Sequence, residues 1–183
     1  MFIRDSTIIA ATPYLNEMKC CDRIAFIREG KIQGIDTPDR ILQQFSSILS
    51  PEGLSFNEPQ VTGRYAIEVE GLTKQFGNFT AVDHISFKVR QGEIFGFLGA
   101  NCAGKTTAMR ILCGLSQTTG GKGTVAGFDI ATQYEQVKKK IGYMSQKFSL
   151  YEDLKVWENI RLYAGIYGMS DKEIAEKTDK VLE

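Results

Sequence analysis

The chain has 183 residues, 43% of them hydrophobic and 24% charged, with 22 basic residues balanced by 22 acidic ones. That composition is ordinary for a soluble globular protein and gives room for one domain, or one and part of another. A formal net charge of zero excludes a broad basic field of the kind that gathers nucleic acid or anionic lipid.

Before the middle of the chain, Thr7-Ile8-Ile9-Ala10-Ala11 is a short apolar run suited to a buried strand. Pro13 bars regular pairing after it, and a helix is expected from about Tyr14 to Cys20. Ile24 to Ile27 is a second apolar run, which Glu29-Gly30 turns into Lys31 to Ile35 as a hairpin. Thr37 before Pro38 predicts a helix start, with the hydroxyl as cap and the proline at the first position, and the helix runs to about Phe45. Residues 46–64 are rich in Ser, Pro and Gly and read as a linker.

After the linker, Tyr65 to Val69 and His84 to Val89 alternate as half-buried strands do, and Ile94 to Leu98 is a continuous apolar run of a central parallel strand. A helix from near Lys105 carries Met109, Leu112 and Cys113 at helical spacing. Gln133 to Lys140 reads as a helix and Ile141 to Met144 as a strand. Lys138-Lys139-Lys140, the one dense basic run, complements the dipole at that helix's end. Val156 to Tyr167 is helical with Ile160, Tyr163 and Tyr167 on one stripe, and Ser170-Asp171-Lys172-Glu173 has capping-box spacing for a last helix.

Cys20, Cys21, Cys102 and Cys113 lack the spacing of a zinc or redox site, and they read as reduced thiols of a cytosolic protein. No apolar run approaches the roughly 20 residues of a membrane helix, and the N-terminus lacks the pattern of a signal peptide. Any membrane role is therefore expected to act through a partner.

The chemistry lies in Gly99-Ala100-Asn101-Cys102-Ala103-Gly104-Lys105-Thr106, which matches G-x-x-x-x-G-K-[ST] in full. A strand delivers this loop, its glycines let backbone N–H groups turn onto phosphates, and the following helix adds positive potential at its N-terminus. Lys105 is placed to reach β- and γ-phosphates, and the Thr106 hydroxyl to complete a magnesium shell.

Around that loop, Gly71 to Gly77, Ala81 to Phe87, Gly92 to Gly99, Tyr143-Met144-Ser145-Gln146 and Glu158-Asn159-Ile160 follow in an order that resembles the first half of an ABC transporter nucleotide-binding domain. The resemblance runs from Tyr65 to Glu183. It implies a P-loop α/β fold with a small antiparallel β subdomain, formed by the region Tyr65 to Val89. It also implies adenine stacking on Phe76, phosphate binding by Gly99 to Thr107, and magnesium held by Thr106 and Gln146. ATP and Mg2+ are the expected ligands. A second nucleotide-binding domain and a membrane-spanning subunit are the expected partners, with the chain on the cytoplasmic face of the membrane. His84, the only histidine, falls on an ordinary strand and is expected to be structural.

Residues 1–45 resemble the other end of the same domain type, in Thr12 to Glu17, Cys21 to Ile24 and Glu29 to Ile32, with Pro13 where that family has its switch histidine. The chain thus reads as the tail of one ATPase domain, a linker, and the head of a second, as in a tandem-domain protein of the multidrug-export type. The family's apolar strand ending in Asp-Glu and its Leu-Ser-Gly-Gly-Gln signature do not occur in the sequence; Asp129 is followed by Ile130 and does not match. This chain is therefore expected to bind Mg-ATP without turning it over. The alternatives are a non-catalytic piece acting by interaction, or a soluble, non-transport member of the same family.

Two residues depart from the family pattern. Cys102 stands where glycine is usual, which costs about 1–2 kcal/mol if φ is positive there, and Lys155 replaces a threonine cap, a loss of about 1 kcal/mol. In the family fold two strands flank the phosphate-loop strand, and Thr7 to Ala11 and Arg23 to Ile27 are of that kind. Either they pack against Ile94 to Leu98 as a permuted half-domain, or the tail is detached.

Overall fold

Residues 6–45, 63–144 and 150–182 are described by the computed structural model, in which the chain divides into two units, Met1–Ile141 and Gly142–Glu183. The first unit begins with β1 (Ile8–Thr12), a 3-10 turn (Leu15–Cys20), β2 (Arg23–Arg28), β3 (Lys31–Asp36) and α1 (Pro38–Gln44). It continues with β4 (Tyr65–Phe76), β5 (Phe79–Arg90), β6 (Ile94–Leu98), α2 (Lys105–Leu112), β7 (Gly120–Val125), β8 (Phe128–Asp129) and α3 (Tyr134–Lys138).

The first sheet has the order β1-β6-β2-β3. β6 pairs in parallel with β1, Ile8 against Ile94 through Thr12 against Leu98, and in parallel with β2, Arg23 against Phe95 through Phe26 against Leu98. The N-terminal strands therefore pack on both sides of the phosphate-loop strand, and the tail is not detached. An unflanked β6 would leave its backbone groups unpaired beside apolar side chains. The neighbours follow its two-residue alternation. Phe95 and Phe97 join Ala25 and Ile27 in one buried cluster, while Ile94 and Leu98 join Ile24, Phe26, Met18 and Ile41 in another. Phe95 and Phe97 are fully buried, each contributing about 1.5–3 kcal/mol relative to exposure.

The β2–β3 hairpin turns at Glu29 and Gly30, both with positive φ (52° and 76°), as a two-residue primed turn requires. Polar contacts also fasten the segment. The Asp22 amide donates to the Ile94 carbonyl at 2.7 Å, the Ile94 amide to Asp22 Oδ2 at 2.8 Å, and the Ile8 amide to the Glu93 carbonyl at 3.0 Å. Thr37 precedes α1 as expected, but its hydroxyl makes no cap; its amide donates instead to Asp36 Oδ1 at 2.8 Å.

The second sheet, β5-β4-β7-β8, is antiparallel throughout. It extends the expected subdomain in two ways. β4 and β5 each run to 12 residues through several bulges, and β7 and β8 add strands with no apolar alternation to announce them. Its inward residues, including Val69, Leu72, Phe87, Val89 and Val125, share the cluster of Phe95, Phe97, Ala108 and Ile111. Ile141 to Met144 forms no strand, contrary to expectation. No described strand pairs with that stretch, Met144 is 92% exposed, and the Tyr143 amide donates to the Tyr167 hydroxyl at 3.2 Å instead of to a strand edge.

The second unit holds α4 (Val156–Ile166) and α5 (Asp171–Leu182). Ser170 and Glu173 form the expected reciprocal box: the Ser170 amide donates to Glu173 Oε2 at 2.9 Å and the Glu173 amide to Ser170 Oγ at 3.5 Å. At Lys155 only half of a box exists, the Lys155 amide donating to Glu158 Oε2 at 2.8 Å, because an ammonium cannot accept in return. Buried Asn159 ties the preceding turn to α4. It accepts from the Tyr151 amide at 2.8 Å and donates to the Tyr151 and Leu154 carbonyls at 3.0 and 3.1 Å. Among the described residues no helix is long and apolar enough to cross a membrane.

Candidate phosphate-binding site

The phosphate loop leaves β6 at Leu98 and enters α2 at Lys105, the strand-to-helix context expected for it. Gly104 is the residue before the helix, with φ at 94°. A Cβ there would collide with the Ala81 carbonyl, so both conformation and space require glycine. A Cβ at Gly99 would collide with the Ile27 carbonyl of β2. The first-turn amides of α2 have no intrahelical acceptors and point past the loop, the arrangement that attracts anions.

Lys105 is buried, and its ammonium donates to the Gly99 carbonyl at 2.6 Å and the Ala100 carbonyl at 2.7 Å. The cation is thereby held at the mouth of its own loop. Burial holds Lys105 below the usual lysine range, with Cys102 acting weakly in the opposite sense. Thr106 is exposed and Thr107 half-buried on the same first turn, while Ala100 and Asn101 are exposed and Ala103 is buried. Cys102 is exposed with φ at 65°, so the positive backbone angle that the missing glycine implied is present and a side chain occupies it.

Phe76 lies at the tip of the β4–β5 hairpin, opposite Phe79, and the two rings are 54% and 61% exposed. Lys74 Nζ stands 5.0 Å from the Phe76 ring centre. Ala81, whose carbonyl abuts Gly104, is two strand residues from Phe79, about 7 Å. The hairpin thus carries its aromatic tip close to the loop. Phe79 was not singled out by the sequence pattern; its exposure beside Phe76 is what marks it. Gln146 lies in 145–149, outside the described residues.

The other candidates have local duties. Asp129 accepts from the Ala131 and Thr132 amides and the Thr132 hydroxyl, which holds its carboxyl below the usual range. Its Oδ1 closes a local turn. His84 sits at φ 51° on β5, exposed, its ring Nδ1 2.6 Å from Asp83 Oδ1. The four cysteines are free thiols, and burial pushes Cys21 up to about 12 and Cys113 up to about 11.

The ABC transporter family profile matches residues 82–183. The chain is 42% identical over 135 residues to a probable multidrug ABC transporter ATP-binding protein, YbhF, of Escherichia coli, covering 73% of this chain and 23% of that protein. It is 36% identical over 117 residues to the linearmycin resistance ATP-binding protein LnrL of Bacillus subtilis, covering 64% of this chain and 38% of that one. The chain therefore spans well under half the length of these curated relatives. A solved ATP-binding subunit of an ABC transporter superposes with a TM-score of 0.52 at 30% identity, over 59% of this chain and 45% of that one. A dimeric ATP-binding cassette bound to ADP and Pi, 21% identical with a TM-score of 0.53 over 62% of this chain and 54% of that one, shares the fold. The family match covers more than half of the chain and contains the whole phosphate loop, so the protein belongs to the ABC transporter family.

Proposed function

We propose that this chain binds Mg-ATP as part of the ATP-binding component of an exporter-type ABC transporter, which drives transport through a separate membrane-spanning subunit. The observation that carries the reading is the buried Lys105 ammonium at the N-terminus of α2, framed by the carbonyls of Gly99 and Ala100. A triphosphate offers that cation stronger, charged acceptors than two neutral carbonyls. Residues 99–107 then cradle the phosphates, and the exposed ring of Phe76 takes the adenine by stacking. Relatives named as a probable multidrug ABC transporter ATP-binding protein and a linearmycin resistance ATP-binding protein support the exporter class.

The Thr106 hydroxyl fits magnesium, which keeps several waters and takes few protein ligands beside substrate phosphates; Gln146 is the second ligand of this reading. Bound there, the ion would neutralise charge on the β- and γ-phosphates. The remaining partners are a second nucleotide-binding domain and the cytoplasmic face of a membrane, reached through the transporter subunit; nucleic acid is not among them. In this reading residues 1–45 derive from the C-terminal end of one such domain and residues 65–183 from the start of another, joined by 46–64.

A second reading, a chain that binds nucleotide or partners without catalysis, is favoured by one observation: the sequence contains neither the Asp-Glu strand nor the signature loop. A thermal-shift series with Mg-ATP separates nucleotide binding from interaction alone. At Mg-ATP about 100 times its dissociation constant the fold gains about 2.7 kcal/mol; folded protein whose melting is indifferent to Mg-ATP rejects the proposal.

A further inference from the structure

Three segments distant in sequence interlock at the phosphate loop. The Gly30 amide donates to the Ala103 carbonyl at 3.2 Å, and the Gly30 carbonyl accepts from the Asp83 amide at 2.9 Å. Lys31 Nζ lies 3.1 Å from Asp83 Oδ2. The fit is tight: a Cβ on Gly104 would meet Gly30 Cα at 3.4 Å, and a Cβ on Gly30, at φ 76°, would meet the Ala81 carbonyl at 3.0 Å. Gly30 thus bridges the loop and the β4–β5 hairpin that carries Phe76 and Phe79. It belongs to the N-terminal segment, outside the residues 82–183 that match the family profile.

We propose that the Glu29–Gly30 turn is a positioning element for the phosphate loop, holding Ala103 and Gly104 in the shape from which Lys105 reaches a triphosphate. The inference rests on the reading of that loop as a nucleotide site. A left-handed non-glycine residue persists only where its surroundings over-determine it, and Cys102, at φ 65°, sits directly before the residue that Gly30 grips. β2 and β3 are each hydrogen-bonded into the first sheet, so the turn between them is a rigid support and not a free loop. Without the grip, the loop relaxes away from the strained conformation.

The test is Gly30→Ala in the full chain, read by hydrogen exchange of residues 99–104 without nucleotide and by Mg-ATP affinity. Exchange of the loop amides is expected to speed up about tenfold and the Mg-ATP Kd to weaken about tenfold. Ile41→Val, which trims a buried residue of the other cluster, is expected to leave the loop's exchange and the Kd unchanged. Wild-type exchange in Gly30→Ala, or a faster loop with an unaltered Kd, overturns the proposal. Faster exchange in a chain whose parent binds no Mg-ATP upholds the positioning role and rejects the nucleotide reading instead. If Gly30→Ala does not fold, Lys31→Met decides, with the same changes at about threefold; no change in either measurement overturns the proposal.

Discussion

Arg23 and Glu93, seventy residues apart in sequence, form a two-point ion pair: Arg23 Nε donates to Glu93 Oε1 at 2.6 Å and Nη2 to Oε2 at 3.2 Å. Glu93 is 1% exposed, and the Arg90 amide satisfies Oε2 as well, at 2.7 Å. The Arg23 guanidinium also donates to the Lys88 carbonyl and lies 5.4 Å from the centre of the Phe95 ring. One arginine of the N-terminal segment thus fastens the turn that leads into the phosphate-loop strand.

Arg23→Met removes two of the three hydrogen bonds described at the buried Glu93 carboxylate. Losing one partner of a buried pair costs about 3–5 kcal/mol, and the one-third exposure of Arg23 lets water recover part of it, so a loss of about 2–3 kcal/mol is expected. Denaturant unfolding measures it. The double variant Arg23→Met, Glu93→Gln is expected to regain part of the loss, because the stranded charge is gone; a single variant as stable as the wild type contradicts this description.

Much of this arrangement was legible in the sequence, and the reasons differ by element. Ile94 to Leu98 and Lys105 stood out because a continuous apolar run and a full phosphate-loop pattern each have one structural use. The N-terminal strands were recognisable as strands, but nothing in their own residues states which edge they take; that depends on the vacancy beside β6. β7, with the sequence Gly-Gly-Lys-Gly-Thr-Val, carries almost no apolar alternation, and its pairing with β4 is a tertiary effect. Ile141 to Met144 shows the reverse, an apolar pattern with no strand beside it among the described residues. The Gly30–Ala103 contact left no local trace, since a glycine that completes a hairpin turn looks the same whether or not a loop leans on it.

Cys102→Gly relieves a left-handed cysteine at a cost in unfolded-chain freedom. The relief is about 1–2 kcal/mol and the opposing entropy about 0.5–1 kcal/mol. A net gain of about 0.5–1 kcal/mol in unfolding free energy is expected, together with tighter Mg-ATP binding because the loop no longer stores strain. An unchanged midpoint and equal or weaker affinity would show that the loop holds cysteine without strain.

Asp83 links Lys31 and His84, and the hydrogen bond from His84 followed by that from Lys31 holds its carboxyl below the usual aspartate range. A carboxyl whose folded value is depressed contributes stability above its unfolded value, about 3.9, and loses it as pH falls through the lower folded value. The stability difference between the wild type and Asp83→Asn is therefore expected to be constant near neutrality and to close below about pH 4. A difference that stays the same down to pH 2 contradicts the pairing.

The proposed reading, in which the chain binds Mg-ATP without turning it over, leads to no ATP turnover above background from residues 1–183. Steady phosphate release that disappears in Lys105→Ala is the result that rejects this.

In the proposed function the Gly99–Thr107 loop binds Mg-ATP through Lys105. Calorimetric titration of Mg-ATP into the folded chain and into Lys105→Ala tests it most directly. One saturable site is expected in the parent chain and none in Lys105→Ala, with both proteins showing the same circular dichroism. No binding heat in the folded parent, or equal affinity in the two proteins, contradicts it.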